Sequence, residues 1–286
     1  MKRTRIRYKK LFGVLVLIVC AAALVVYASL SLVLPSPITS KMHGEGTRYC
    51  LFIGIRESTA PQADSLILTS VNSSRQELYA VSIPGNTKIS KEGEPLMILK
   101  DAYVEGGAEK TVSAVENLLH IRIDRYAVFD SQSFSSLIDR FGGVDLYVEQ
   151  NMYHEDESQV PDIEVRQGFQ TLKDGNAYGY MRYIEKEDGE IGRLQREERF
   201  LKAFFCQARR HFRLYTWGIL RSNWNLPDTN ISSAEVSSMA YDILGYPEEN
   251  LHVVILPGEM KKSGNTTFWY VNPVEIQKIV GLMIDQ

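Results

Sequence analysis

The sequence predicts an α/β (α+β) sandwich, in which helices flank a central mixed β-sheet, preceded by one N-terminal transmembrane helix. Short apolar runs of strand length alternate with segments of helical periodicity along most of the chain. The 286 residues are 44% hydrophobic, which is enough to bury a full core in one large domain or two small ones. This composition excludes collagen-like, disordered and disulfide-dense proteins.

The N-terminus predicts a membrane anchor. Six of the first ten residues are basic, and the 24 residues of Leu11–Leu34 carry no charge. As a helix they would be roughly 36 Å long, which exceeds a hydrocarbon core of about 30 Å. A cleaved signal peptide has a shorter apolar region, so we expect an uncleaved signal anchor with its basic end in the cytoplasm. The predicted segments are a cytoplasmic stub at 1–10, a transmembrane signal anchor at 11–34, a linker at 35–48 and an extracytoplasmic domain at 49–286.

The part of the chain after the basic stub is acidic. Without the six N-terminal basic residues, 26 Lys and Arg stand against 35 Asp and Glu, a net charge of −9. This balance argues against a nucleic-acid partner. Cys50 and Cys206 could form a disulfide in an oxidising compartment, but nothing indicates that they are close, and we expect buried free thiols. The five histidines are scattered, so no zinc site is predicted.

Three strands at the start of the domain are predicted to form a hairpin-rich sheet, and they are Tyr49–Ile55, Ser65–Val71 and Glu77–Ile83. The segment 102–119 is predicted as a loop at Gly106-Gly107 that leads into a helix. Beyond it, the periodicities predict strands at 126–129, 144–148 and 251–256, and helices at 131–141, from 172–177 onward, from 193 onward, at 233–244 and at 273–284. We therefore expect helices on both faces of the sheet.

Four arginines predict a diphosphate site. Within eighteen residues lie Arg182, Arg193, Arg196 and Arg199, the last three at i, i+3 spacing where an apolar-periodic helix begins. Guanidinium groups bind phosphate through paired hydrogen bonds and stay charged at any working pH. The competing interpretation is an exposed, ion-paired helix, since Arg193 and Glu197 are at i, i+4.

Asp64 is a further candidate. It stands directly before the second predicted strand. Such positions often carry chemistry in α/β folds, although an Asp that caps a turn fits the local sequence equally well.

Several segments share their order and spacing with one known family. They are VSIPGNT at 81–87, AYVEGGAEKTVSAVENLLHIRIDRYAVFD at 102–130, FSSLIDRFGGVDLYV at 134–148, LKDGNAYGYMRYI at 172–184, GRLQREERFLKA at 192–203, LPDTNIS at 226–232 and NLHVVILPGE at 250–259. In these segments, and in its basic stub and single anchor, the chain resembles the LytR-CpsA-Psr family over nearly all residues after 48.

The resemblance implies an extracytoplasmic phosphotransferase in a single-pass bacterial cell membrane protein. Such proteins move a glycopolymer from a polyprenyl-diphosphate carrier to peptidoglycan and use Mg²⁺. An apolar interior would hold the polyprenyl tail, and arginines would hold the diphosphate. The implied catalytic residues are Asp64, which would also hold Mg²⁺, together with Arg182, Arg193 and Arg196. The implied substrate-binding residues are Asn86, Lys100, Gln195 and Arg199.

This chain departs from the family pattern at several of these positions. Gly85 and Asn86 replace an arginine and an aspartate after Pro84, and Ile184 replaces the second arginine of an Arg-x-Arg pair. A basic residue is missing at Ile98, where Lys100 could partly replace it, and Gln62 stands where an arginine often precedes the metal-binding aspartate.

Two hypotheses follow from these departures. The protein is either an active, divergent transferase, or a catalytically impaired pseudoenzyme that binds the polyprenyl-diphosphate-linked glycan and assists or regulates an active paralogue. A general base is typically worth 10²–10⁴ in rate, so the loss of a carboxylate bears directly on this choice. A transcriptional role, which the family's older labels suggest, disagrees with the outward-facing domain and its acidic balance.

Overall fold

The computed structural model describes residues 47–56, 61–90, 97–155, 159–185, 189–211, 213–263 and 266–283. Within these ranges, no helix combines the length with the apolar character that crossing a membrane requires. The predicted stub at 1–10, the predicted anchor at 11–34 and most of the predicted linker lie outside them.

A six-stranded mixed sheet forms the centre of the described fold, as predicted. Its strands are β1 (Thr47–Arg56), β2 (Gln62–Asn72), β3 (Glu77–Pro84), β4 (Arg125–Phe129), β9 (Asp228–Thr229) and β10 (Leu251–Ile255), in the order β10-β3-β2-β1-β4-β9. The first three pair antiparallel, which confirms the predicted hairpins, while β4 joins β1 and β10 joins β3 in parallel. The parallel pairs need crossover connections, and helices supply them.

Seven α-helices accompany the sheet in the described residues. They are α1 (Leu99–Leu119), α2 (Ser131–Arg140), α3 (Asn176–Arg182), α4 (Gly189–Arg210), α5 (Arg213–Asn223), α6 (Ser233–Ile243) and α7 (Pro273–Met283). Three two-stranded pairs lie outside the sheet, formed by β5 (Val144–Val148) with β8 (Gly168–Leu172), β6 (Met152–Glu155) with β7 (Pro161–Val165), and β11 (Gly258–Ser263) with β12 (Thr266–Val271).

The two faces of the sheet follow from the alternation of side chains along each strand. On one face, which we call the packed face, Leu51, Leu66 and Ile83 are fully buried against α1 and α7. On the other face, which we call the hollow face, Phe52 belongs to a hydrophobic cluster that includes side chains of α5 and α6. Helices therefore cover both faces, as the alternation of elements predicts.

The segment 102–119 differs from its prediction. A single helix, α1, already begins at Leu99, and the glycine pair is a break inside it rather than a preceding loop. Gly107 has φ 63° and ψ −151°, a conformation that side chains with a Cβ rarely adopt, so the helix changes direction there without ending.

The helix that was predicted to begin at 172–177 starts later than Leu172 in the structure. Leu172 ends β8, and α3 begins only at Asn176 because Asp174 and Gly175 both have positive φ and form a turn. The sequence did not predict β8, β9, the pairs β6–β7 and β11–β12 or helix α5, because these elements are short and also partly exposed, which leaves little hydrophobic periodicity.

Both cysteines in the described residues are free thiols. Cys50 is buried, as expected, and burial raises the pKa of its thiol. Cys206 lies exposed on α4, so the prediction that it would be buried was wrong. Four residues earlier and later along the same helix the side chains are exposed as well, because this side of α4 faces solvent.

Candidate functional site

The hollow face of the sheet encloses a cavity of about 500 Å³ together with α4, α5 and α6. Its lining is predominantly aliphatic and aromatic, and includes Phe52, Ile67, Leu78, Phe134, Leu137, Phe141, Phe200, Phe204, Phe205, Leu220, Trp224, Met239 and Ile243. Protein interiors are normally filled to the density of organic crystals, so an internal space of this size is a candidate ligand site. Its lining suits an apolar ligand.

The same cavity continues to a polar end, which we call the mouth. The mouth consists of Arg56, Asp64, Asn86, Lys100, Arg182, Glu190 and Arg193. These residues come from β1, from β2, from the turn after β3, and from α1, α3 and α4. A ligand with an apolar chain and an anionic head would therefore meet both kinds of surface in one continuous space.

Asp64 reaches the mouth because of a β-bulge. Gly54 pairs with Ser65 and Ile55 pairs with Ala63, so Asp64 is the extra, unpaired residue of β2. Strict alternation would direct Asp64 away from the cavity that Ser65 lines, whereas the bulge brings both to it. Asp64 thus lies inside β2 rather than before it, and a turn cap is excluded.

Arg56 is the immediate partner of Asp64. Its Nε donates a hydrogen bond to Asp64 Oδ2 over 2.6 Å. Arg56 is the last residue of β1 and lies directly opposite Gln62 in the pairing of β1 with β2. Sequence analysis missed this residue. The hairpin of the first two predicted strands was the signal that could have found it, because strand pairing brings the end of one beside the start of the next.

Arg193 projects from α4 into the cavity and is only 4% exposed. Its Nε donates to Glu190 Oε2 over 2.9 Å, and its Nη2 donates to Oε1 of the same carboxylate. Burial lowers the pKa of Arg193, but the hydrogen bonds and charge of Glu190 outweigh burial, so that the pKa is raised. The guanidinium is therefore charged at any working pH. Of the alternative of an exposed, ion-paired helix, the exposure does not hold for this residue, while the ion pair within the helix does, with Glu190 as the partner.

Glu197 follows Arg193 by about one turn of α4 and is 1% exposed. The Ser65 hydroxyl donates to its Oε1. Burial raises the pKa of Glu197, while the charge of Arg193 and the Ser65 hydrogen bond act against that rise. Sequence analysis read Glu197 only as a helical neighbour of Arg193, and its burial follows from the packing of α4 on β2.

Arg182, the last residue of α3, lines the mouth and forms an ion pair with Asp162. Its Nη2 donates to Asp162 Oδ2, and its guanidinium lies 5.7 Å from the centre of the Tyr178 ring. Burial raises the pKa of Asp162, but hydrogen bonds from His154 and Arg182 outweigh it, so that the pKa of Asp162 is lowered. One of the hydrogen-bonding groups of Arg182 is thus already engaged.

Three other predicted residues lie away from the cavity. Arg196 donates to the Tyr183 carbonyl, and its Nη1 is 3.8 Å from Glu149 Oε1. Arg199 donates to the same carboxylate, and Gln195 is exposed. Each helical residue is rotated by about 100° from the last, so Arg196 and Arg199 are turned by roughly 60° and 120° from Arg193. Of the three arginines on α4 that were predicted as site residues, only Arg193 therefore reaches the mouth.

Two further predicted residues, Asn86 and Lys100, belong to the mouth. The backbone N–H of Lys100 donates to the Gly85 carbonyl over 2.8 Å, which holds the lysine beside the glycine that departs from the family pattern. The Asn86 amide donates to the Thr267 carbonyl over 3.2 Å. Its buried Oδ1 has no hydrogen-bond partner in the part of the chain that the structure describes.

A resident Mg²⁺ does not fit the donors of the mouth. Mg²⁺ is usually held by one or two carboxylates together with substrate phosphates and water. Of the carboxylates lining the described cavity, Asp64 pairs with Arg56, Glu190 pairs with Arg193, and Asp130 caps α2 by accepting from the Ser133 N–H. No three His, Cys, Asp or Glu side chains of the described ranges are grouped for a metal. The neutral Asn86 Oδ1 alone supplies too little charge.

Fold and site together define a mixed α/β protein with an internal apolar cavity and a cationic mouth. A model of the LytR_cpsA_psr family matches residues 39–284, and the chain belongs to that family. The resemblance read from the sequence is thereby confirmed.

Individual relatives share parts of this chain. It is 30% identical over 165 residues to the polyisoprenyl-teichoic acid–peptidoglycan teichoic acid transferase TagV of Bacillus subtilis (strain 168). That match covers 54% of this chain but only 41% of the relative. The crystal structure of B. subtilis TagV aligns with a TM-score of 0.70 at 23% identity, over 84% of this chain and 97% of that one. A structure of TagT bound to LIIa-WTA aligns with a TM-score of 0.66 at 19% identity, over 84% and 90% of the two chains.

Proposed function

We propose that the protein transfers an envelope glycopolymer from a polyprenyl-diphosphate carrier to peptidoglycan on the outer side of the bacterial membrane. The observation that carries this proposal is the continuity of an apolar cavity with a mouth that contains four cationic side chains. The names of the relatives, which are transferases of polyisoprenyl-linked teichoic acid to peptidoglycan, support it. So does the likeness to TagT bound to LIIa-WTA.

In this proposal the cavity holds the polyprenyl chain and the mouth holds the diphosphate. Each buried methylene contributes about 0.8 kcal/mol, so a chain of isoprene units gains its affinity from the apolar lining. An acceptor hydroxyl attacks the phosphorus that carries the glycan, the bond from that phosphorus to the bridging oxygen breaks, and polyprenyl phosphate leaves with the proton of the hydroxyl. Arg193, Arg182 and Lys100 neutralise the charge that the leaving phosphate gains.

The alternative is a pseudoenzyme that binds the lipid-linked glycan without transferring it. One observation favours it: the carboxylates lining the described cavity are each engaged by a guanidinium or a helix cap. The Asn86 amide cannot accept a proton from the acceptor hydroxyl. A protein without a free general base would keep its affinity for the donor and lose most of its rate.

The two functions separate in one assay. Full-length protein in detergent is incubated with a short-chain polyprenyl-diphosphate sugar, with and without peptidoglycan fragments, and released polyprenyl phosphate is measured. The transferase predicts release that depends on the acceptor. Tight binding of the donor without release would establish the pseudoenzyme, and absence of binding would contradict both.

Restoring the family's residues provides a second test. The double substitution Gly85→Arg and Asn86→Asp should raise release at least about 10-fold, since it returns a cation and a base to the mouth. A Cβ at Gly85 would lie 3.1 Å from the Ala63 carbonyl, so the chain must shift by a few tenths of an ångström to accept it. Asn151→Asp, at an exposed position on another segment, controls for the added carboxylate. Unchanged release in the double variant would mean that the mouth is not the reacting centre.

We also propose that residues 11–34 anchor the protein and that the domain lies outside the cytoplasm. The exposed Cys206 allows a direct measurement. A membrane-impermeant maleimide added to intact protoplasts should label the wild-type protein and spare Cys206→Ser, because the other described thiol, Cys50, is buried. Labelling that requires lysis would place the domain in the cytoplasm and contradict the proposal.

A further inference from the structure

Asp64 is in direct contact with a cationic side chain of the protein, Arg56. Arg56 Nε lies 2.6 Å from Asp64 Oδ2. The pair is a structural consequence of the β1–β2 hairpin, in which the bulge turns Asp64 toward the cavity and Arg56 ends the neighbouring strand. Asp64 is the residue that the family resemblance implies as a metal ligand. Its partner Arg56 was not predicted from the sequence.

From this geometry we infer that Arg56 takes the place of a divalent metal at Asp64 and is itself a phosphate-binding residue. The inference rests on the proposed function and concerns how the same mouth recognises the lipid diphosphate. A metal ion bound to Asp64 would lie beside the positive charge of Arg56, and the two cations would repel each other. The guanidinium satisfies the carboxylate without a metal.

Arg56 retains donors for a ligand. A guanidinium has five N–H groups, and the contact with Asp64 uses the one on Nε. The side chain is 48% exposed and lines the mouth, so its remaining N–H groups are accessible from the cavity. A planar fork of this kind matches the spacing of phosphate oxygens, as a metal ion does by coordination.

Among the described residues, one cation of the mouth is not paired with a carboxylate. The described lining contains four cations, Arg56, Lys100, Arg182 and Arg193, and three carboxylates, and Arg182 also pairs with Asp162, which lies outside the lining. Lys100 has no ion-pair partner among the described residues, and the structure holds it beside Gly85. A diphosphate would therefore meet Lys100 as a cation that is not already neutralised, together with the remaining N–H groups of Arg56.

The test is a binding measurement with geranylgeranyl diphosphate and full-length protein in detergent, in millimolar MgCl₂ or in EDTA. For the wild type we expect Kd values that agree within about threefold in the two buffers. In Arg56→Asp, which places a second carboxylate beside Asp64, binding in EDTA should weaken at least about 10-fold and recover with Mg²⁺. Titration of MgCl₂ alone should show binding to this variant and none to the wild type.

Two variants complete the design. Arg56→Gln keeps a neutral donor, so its binding should weaken in both buffers without rescue by Mg²⁺. Arg122→Asp makes the same charge change at a side chain that is 89% exposed and does not line the cavity, and it should behave as the wild type.

The possible failures are distinct. A wild type that binds the probe only with Mg²⁺ would overturn the role of Arg56 and leave the proposed function standing. A wild type that binds it in neither buffer would overturn the proposed lipid site and this inference with it.

Discussion

The packed face and the hollow face belong to one sheet and are built from the same alternating strands, but they are covered differently. On the packed face, Leu66 and Ile83 are 0% exposed beneath α1 and α7. On the hollow face, Ile67 and Leu78 line a cavity of about 500 Å³. Leu66 and Ile67, which are adjacent in β2, therefore border a filled core and a cavity respectively.

This difference separates the part of the molecule that holds the fold from the part that binds. In a filled core, each side chain gains dispersion energy from neighbours on all sides. A side chain that borders a cavity lacks neighbours on one side and gains less. The charged residues follow the same division, since Asp64, Arg193 and Glu197 all lie on the hollow face. Three predictions test whether the two faces differ in this way.

The largest effect is expected on stability and compares two neighbouring residues. Leu66→Ala should lower the free energy of unfolding by about 2–5 kcal/mol, because it opens a cavity in a filled core. Ile67→Ala should cost less than about 1.5 kcal/mol, since its side chain already borders empty space. Urea unfolding of both variants measures the difference. Equal losses would mean that the hollow face is as important for folding as the packed one.

The next effect concerns binding and compares two arginines on α4. Arg193→Ala should weaken binding of geranylgeranyl diphosphate by about 10- to 100-fold, the loss expected for a charge-assisted phosphate contact. Arg196→Ala is the matched control, because its guanidinium is buried against Tyr183 and Glu149 rather than in the cavity. Fluorescence or calorimetric titration gives both values. A larger loss in Arg196→Ala would reassign the phosphate site to the other side of the helix.

The smallest effect is a pH dependence of stability from Glu197. Its pKa is raised by burial, so the folded protein binds this proton more tightly than the unfolded chain. The resulting stability is fully present below the unfolded pKa of about 4.3 and is lost as the pH rises through the folded pKa. Glu197→Gln stays neutral and should therefore be more stable than the wild type by about 1 kcal/mol at pH 8, with no such gain at pH 4.

The adjacent residue supplies the control for this measurement. Glu198 is partly exposed and pairs with Lys202, so Glu198→Gln should show no comparable change with pH. Urea unfolding at pH 4, 6 and 8 gives the three curves. A Glu197→Gln variant that is less stable than the wild type at pH 8 would show that the ionised carboxylate supports buried Arg193.

Much of the fold was predictable because burial imposes periodicity on the sequence. The first three strands were placed within three residues of their observed ends, and the mixed sheet with helices on both faces followed from the alternation of elements. The short hairpins and α5 were missed for the opposite reason, since brief and partly exposed elements leave little pattern. The break in α1 looked like a loop because two glycines locally resemble one.

The candidate site was predictable only in part. Residue types identified Asp64, Arg182 and Arg193, and the structure brings them to one cavity. The same residue type also pointed to Arg196 and Arg199, which lie elsewhere, and it gave no sign of Arg56. Spacing along a chain does not specify which way a helix is rotated against its sheet.

The family, the alternating pattern that forms the sheet and the cationic side chains could all be read from the amino-acid sequence, because each of these is local information. The three-dimensional fold was needed to show that one face of the sheet borders a cavity, that a bulge turns Asp64 into this cavity and that Arg56 is its partner. These features depend on the register of paired strands and on the rotation of packed helices, which arise from contacts between distant residues.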